Sequence, residues 1–257
     1  VLRGSDHLTN TPRQILLLTA LGLLVPAYGH VSLIVGEDGA PLSKRHGATS
    51  LADLRRQGYL AAAVRNHLFR LGHSGSEQGF MDLEAMAAAF DTRHLGRSPS
   101  RFDQVQLDVW QKGAVHAMPD ADFGAWAGEA LPATLDPVTR AAFVAAVRPN
   151  VVFPADVHAW AKIVFGGLPS LSEAGEAVVR DAGGRFFDAA AGAAAAGGGD
   201  LASISAAVRD ATGRKGPALF KPLRLALTGL DHGPELAPLL RAMPRATVRE
   251  RLLRSAH

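Results

Sequence analysis

The chain has no cysteine among its 257 residues. That excludes a disulfide framework and any Cys-ligated zinc site. Aromatic residues make up only 6%, against 47% hydrophobic residues overall, so its cores must be built mostly from aliphatic side chains and alanine. The length suits one large domain or two ordinary ones. Long apolar runs are also missing. The nearest candidate, Ile15 to Pro26, is too short to cross a bilayer, and no secretory n-region precedes it. A cytoplasmic protein with no membrane partner is the expectation. Nor does one sign of charge dominate: 27 Lys+Arg stand against 24 Asp+Glu, a net charge of +3, which does not by itself demand nucleic acid.

The basic residues are unevenly placed. Between Val1 and Gly75, Arg3, Arg13, Lys44, Arg45, Arg55, Arg56, Arg65 and Arg70 stand against Asp6, Glu37, Asp38 and Asp53. Near the end, Arg241, Arg245, Arg249, Arg251 and Arg254 stand against Glu250. Such clusters suit phosphates; they equally suit solvated helix faces.

Val1-Leu2-Arg3 reads as the end of a strand. Thr11, Pro12 and Gln14 form a capping-box pattern for a first helix, with Ile15, Leu16, Leu18 and Leu21 as its buried face and Gly22 as its stop. Val31 to Val35 is β-branched enough for a second strand. Strand, helix, strand is the logic of a parallel sheet. Beyond it, Ser50 and Asp53 form another capping box, with a helix to Gln57 ended by Gly58. A helix over Ala61 to Leu71 is closed by Gly72, and Asp82 caps a helix through Phe90. Ser98-Pro99 starts a short helical turn. Phe102, Leu107 and Trp110 read as core anchors. From about Asp120 the reading is all helix, with Asp136-Pro137 opening one helix and others over roughly 155–165, 172–182, 201–211, 220–228, 234–242 and 246–254. The run Ala189 to Gly199 reads as a helix end and a joint.

The most informative stretch is Gly39-Ala40-Pro41-Leu42-Ser43-Lys44-Arg45-His46-Gly47. By composition alone it is a polar turn after a strand, in which Lys44 offers a point charge and Ser43 a short hydrogen-bond partner for a polyphosphate. Its wording resembles the signature loop of class I aminoacyl-tRNA synthetases in the form used by glutamyl-tRNA synthetases. Upstream, Leu2-Arg3-Gly4-Ser5-Asp6-His7-Leu8-Thr9-Asn10-Thr11-Pro12-Arg13-Gln14 resembles that family's strand and loop beside the amino-acid and adenylate site. The two segments have the family's order and spacing.

The resemblance implies an α/β Rossmann-like catalytic-domain remnant followed by mostly α-helical stem-contact and anticodon-binding domains, divided at 1–48, 49–118 and 119–257. It implies ATP-dependent activation of L-glutamate and its transfer to tRNA(Glu) by a protein that is a monomer when full length. ATP arrives with Mg2+, and no structural metal is held. Lys44 would meet the developing charge and the leaving pyrophosphate, with Ser43 ordering the loop. Arg3, Asp6, His7, Asn10, Arg45 and His46 would line the ATP and adenylate pocket, and Arg55, Arg56, Arg249 and Arg251 would meet tRNA. For Arg3 and Asp6 a structural ion pair is an equal alternative to substrate contacts.

The first residue is not methionine, and the family's other, His-rich signature occurs nowhere. The expectation is therefore a C-terminal part lacking the N-terminal half of the catalytic domain. Two further departures bear on activity: Pro41 stands where the family usually has lysine, and Ser5 where it usually has an acidic residue. They favour, as an alternative, a non-catalytic or divergent tRNA-binding paralogue. A related enzyme that glutamylates a modified tRNA base fits less well, because such proteins lack the long helical tail.

Overall fold

A computed structural model of the chain describes residues 1–36, 38–40, 42, 50–75, 79–132, 134–196 and 199–256. It divides into two units, Val1–Ala117 and Met118–His257. A small parallel β/α region comes first and the rest of the chain is largely helical.

In the first unit, β1 (Leu2–Gly4) is followed by a 3-10 turn (Ser5–His7), α1 (Asn10–Ala20), β2 (Gly29–Val31) and β3 (Ile34–Val35). Then come α2 (Leu51–Arg56), α3 (Ala61–Gly72), α4 (Leu83–Ala89), β4 (Ser100–Arg101) and α5 (Gln104–Ala117). The strand expected over 31–35 is split. Its first residue closes β2, which pairs in parallel with β1; its last two form β3, which pairs in parallel with β4. Ser98-Pro99 does not start a helical turn but leads into β4, whose Ser100 N–H donates to the Leu33 carbonyl.

Helix α1 begins one residue before the expected cap. Thr11 therefore lies inside the first turn, and its hydroxyl is free for other work. The stop at Gly22 holds. With φ of 65°, Gly22 lets its own N–H reach the Thr19 carbonyl and the Leu23 N–H reach that of Leu18, the double bond of a Schellman end. The expected buried face does not hold: Thr11 is the helix's only buried residue, and Ile15, Leu16 and Leu21 are exposed.

The Ser50–Asp53 capping box is formed in full, and Asp82 caps α4 through the Ala85 N–H. Helices α3 and α5 pack against each other, with Ala63, Leu107, Ala114 and Val115 buried. Of the expected anchors, Leu107 is fully buried, Phe102 meets the His67 ring edge-on, and Trp110 lies 4.0 Å beneath the Arg70 guanidinium.

The second unit holds α6 (Asp120–Ala127), α7 (Pro137–Val147), α8 (Pro154–Phe165), α9 (Glu173–Ala182), α10 (Gly184–Ala196), α11 (Leu201–Thr212), α12 (Pro217–Thr228), α13 (Leu236–Ala242) and α14 (Arg245–Arg254). The alanine run is more than a joint: Ala190, Ala191 and Ala194 are buried on α10, which packs on α11 and α14. Small side chains allow that close approach. Gly233, between α12 and α13, has φ of 120°, and a Cβ there would sit 2.3 Å from the Trp160 ring, so glycine is required.

Candidate functional site

Parallel pairing of β1 with β2 sets Arg3 opposite His30. Helix α1 follows the short 3-10 turn after the strand and brings Thr11 to both. The Thr11 hydroxyl accepts from Arg3 Nη2 at 2.7 Å, donates to the His7 carbonyl at 3.1 Å and lies 2.8 Å from His30 Nε2. The Arg3 guanidinium is 5.0 Å from the centre of the Tyr28 ring, within cation–π reach. Arg3 Nε is buried and has no hydrogen-bond partner among the described residues.

The remaining candidates of this segment gather beside it. Asp6 and His7 sit on the 3-10 turn, with His7 Nε2 3.9 Å from an Asp6 carboxylate oxygen. Asn10, the first residue of α1, has its amide 3.2 Å from His7 Nδ1. Among the described residues the partner of Arg3 is Thr11 and that of Asp6 is His7, so the open choice for Arg3 falls away from an ion pair with Asp6. These groups stand where β1 ends, the edge at which open α/β sheets bind ligands. Among the described residues no group of three His, Asp or Glu is placed to hold a metal.

Ser43, Lys44, Arg45 and His46, with Pro41, lie outside the described residues. The chain around them is pinned. Upstream, Gly36 accepts from the Gly39 N–H and donates to the Ala40 carbonyl, and the Leu42 N–H donates to Ile34. Downstream stands the Ser50–Asp53 cap.

Arg55 and Arg56 occupy the last turn of α2, both exposed; Arg56 pairs with Asp53. Behind them, Tyr59 donates to Asp108. Burial, then that carboxylate, pushes the phenol above the ordinary tyrosine range. Gln111, fully buried, accepts from the Leu60 N–H at 2.9 Å and donates to the Gly58 carbonyl at 3.1 Å. The structure shows it closing the α2–α3 connection.

On α14, Arg249 is exposed, whereas Arg251 is 5% exposed and turned inward. Its guanidinium donates to the carbonyls of Leu227, Ile163 and Gly166. Expected as a tRNA contact, Arg251 instead ties α14 to the ends of α12 and α8. Thr11, Tyr28 and His30 were missed as site residues; only the strand register, which periodicity does not report, joins them to Arg3.

Residues 1–109 match the family described as tRNA synthetases class I (E and Q), catalytic domain, and residues 198–256 match an anticodon binding domain. The chain is similar to proteins named glutamate–tRNA ligase along nearly its whole length. It is 52% identical over 98% of its residues to a protein of Alkalilimnicola ehrlichii named Glutamate--tRNA ligase 2, covering 53% of that protein. It is 48% identical over all of its length to Glutamate--tRNA ligase 1 of Halorhodospira halophila, again covering 53%. The chain thus spans about half the length of the curated relatives it matches.

Two solved structures share the fold over all of this chain and 56% of their own. They are a glutamate tRNA ligase from Elizabethkingia meningosepticum in complex with its amino acid (TM-score 0.83, 21% identity) and the glutamate-tRNA synthetase from Elizabethkingia anophelis (TM-score 0.84, 20% identity). One expectation is corrected here. The chain was read as a C-terminal part lacking half of the catalytic domain, with 1–48 as the remnant. The catalytic-domain match runs to residue 109, and similarity to the ligases covers 93–100% of the chain.

Proposed function

We propose that the protein carrying this chain is a glutamate–tRNA ligase of class I. The observation that supports it most is 52% identity to a protein of that name through 98% of the chain, joined to an arginine that offers hydrogen-bond donors at the end of a parallel strand. In the first step the glutamate α-carboxylate attacks the α-phosphorus of ATP and pyrophosphate leaves. In the second, a ribose hydroxyl at the 3′ end of tRNA(Glu) takes the glutamyl group and AMP leaves. Neither step needs a covalent enzyme nucleophile, so positioning and charge stabilisation supply the catalysis.

Arg3, with Nη2 on Thr11, offers its other donors to a substrate carboxylate. Asp6, His7 and Asn10 line the adenylate pocket beside it. Lys44 meets the charge that develops at phosphorus and on pyrophosphate, Ser43 orders the loop, and Arg45 and His46 complete the ATP contacts. Mg2+ enters with ATP, held mainly by phosphate oxygens. Residues 1–48 act as the Rossmann-like segment, 49–118 meet the acceptor stem through Arg55 and Arg56, and 119–257 read the anticodon, with Arg249 on phosphate. Arg251 supports that surface from within. The setting is the cytoplasm.

Charging tests this directly. Incubated with ATP, labelled glutamate and tRNA, the protein at its native length should produce label that is alkali-labile and lost when the tRNA 3′ end is first oxidised by periodate. A second reading, a tRNA-binding paralogue without ligase activity, is favoured by Pro41 and Ser5. It predicts tRNA binding with no charging.

A further inference from the structure

The Thr11 hydroxyl has one hydrogen and two lone pairs, and the structure gives it three partners. Arg3 Nη2 at 2.7 Å can only donate, and the His7 carbonyl at 3.1 Å can only accept. The hydroxyl hydrogen is therefore spent on His7, and one lone pair is taken by Arg3. The third partner, His30 Nε2 at 2.8 Å, completes the set only as a donor, with its proton on Nε2. Thr11 is 8% exposed, so water does not readily replace a missing partner. Each residue of the relay stands on regular backbone: Arg3 and His30 are paired by the parallel register, and Thr11 lies in the first turn of α1.

We propose that Thr11 and His30 are positioning residues. His30, as the Nε2–H tautomer, orients the Thr11 hydroxyl, and the hydroxyl holds one Nη of Arg3 so that the remaining donors of that guanidinium are aimed at a substrate carboxylate. The Tyr28 ring beneath limits tilt of the guanidinium plane, and Thr11 limits its rotation. Neither Thr11 nor His30 touches substrate in this scheme. The inference rests on the ligase reading for the identity of the substrate, but its hydrogen-bond relay is observable without turnover.

The test compares Thr11→Val, which keeps the shape and removes the hydroxyl, with Thr11→Ser, which restores it. In tRNA- and glutamate-dependent exchange of pyrophosphate into ATP by the protein at its native length, Thr11→Val should raise KM for glutamate about tenfold, change kcat by less than about twofold, and be returned to wild-type KM by Thr11→Ser. Nitrogen-15 spectra of the imidazoles should show the His30 proton on Nε2 in the wild type and a tautomer mixture in Thr11→Val. An unchanged KM in Thr11→Val overturns the proposal. So does a fall in kcat that serine does not rescue, or a wild-type His30 protonated on Nδ1 alone. If the wild type shows no exchange, the ligase reading fails, and the His30 spectrum decides the relay: Nε2–H retains it, Nδ1–H removes it.

Discussion

Arg251 Nη2 donates to the Ile163 carbonyl at 2.6 Å, across 88 positions of sequence. The same guanidinium takes the Leu227 carbonyl at 2.6 Å and that of Gly166 at 2.9 Å. Carbonyls at helix C-termini have no intrahelical donor, and a buried cation suits the negative end of the helix dipole. Arg251→Met should therefore destabilise the second unit by about 3–5 kcal/mol, since it leaves several buried acceptors unpaired. Arg251→Lys should not restore it, because one ammonium cannot span three divergent carbonyls. Urea unfolding checks this; a loss below about 1 kcal/mol for Met would contradict it.

Gln111 does similar work in the first unit, bonding the Leu60 N–H and the Gly58 carbonyl while fully buried. Gln111→Leu should cost about 2–4 kcal/mol, from the two buried hydrogen bonds it removes. The local signature is faster hydrogen exchange at the Leu60 amide. Protection equal to wild type at that amide would show that the carboxamide is not what closes the connection.

His67 gives the first unit a pH dependence of definite sign. It is 3% exposed, its Nε2 has no hydrogen-bond partner among the described residues, and Phe102 packs against its ring. Burial lowers its pKa from 6.5, and Asp103 opposes this only in part. With the folded value below the unfolded one, the unfolded state binds the proton first. The stability in question is complete above 6.5 and is lost as pH falls from there through the lowered folded value. Unfolding free energy measured across that window should fall on acidification, and His67→Phe should flatten the slope. A slope that persists in His67→Phe would place its origin elsewhere.

The two arginines of α2 should differ toward tRNA. Arg56 is engaged by Asp53, whereas Arg55 has no ionic partner among the described residues. Replacing Arg55 by alanine should weaken tRNA binding and lower the slope of log affinity against log salt by about 0.9, the value for one phosphate contact on duplex backbone. Arg56→Ala should change it less. Arg249→Ala tests the exposed side of α14 in the same way. Equal, unchanged slopes in all three variants would mark these residues as solvated helix faces.

The extent to which this structure was legible in its sequence follows the range of the interactions. The caps at Ser50, Asp82 and Asp136 and the stop at Gly22 depend on a few neighbouring residues, and they form where their side chains indicate. Helices α7, α9 and α11, capped by Asp136, Ser172 and Asp200, follow for the same reason, whereas α10 was read only as a helix end and a joint. The face of α1 was misread because amphipathic spacing reports only that a face is apolar, not that something covers it; Leu16 and Leu21 are exposed. Thr11 was taken for a cap because its neighbours Pro12 and Gln14 fit one. Its actual partners, Arg3 and His30, lie on two strands whose register is a tertiary fact. Arg249 and Arg251 look alike in sequence, yet one faces solvent and the other is buried among carbonyls.

Ligase activity through Lys44 is tested by tRNA-dependent, glutamate-dependent exchange of pyrophosphate into ATP by the protein at its native length, with and without Lys44→Ala. One preorganised contact to a transition state is worth about 3–4 kcal/mol, so Lys44→Ala should lower the exchange rate by about two to three decades while the melting temperature stays in place. Lys44→Arg should fall short of wild type, because a planar fork does not place charge as a compact ammonium does. Pro41→Lys should hold or raise the rate. A wild-type protein that binds tRNA yet shows no exchange, or a Lys44→Ala variant as fast as the wild type, would contradict the account.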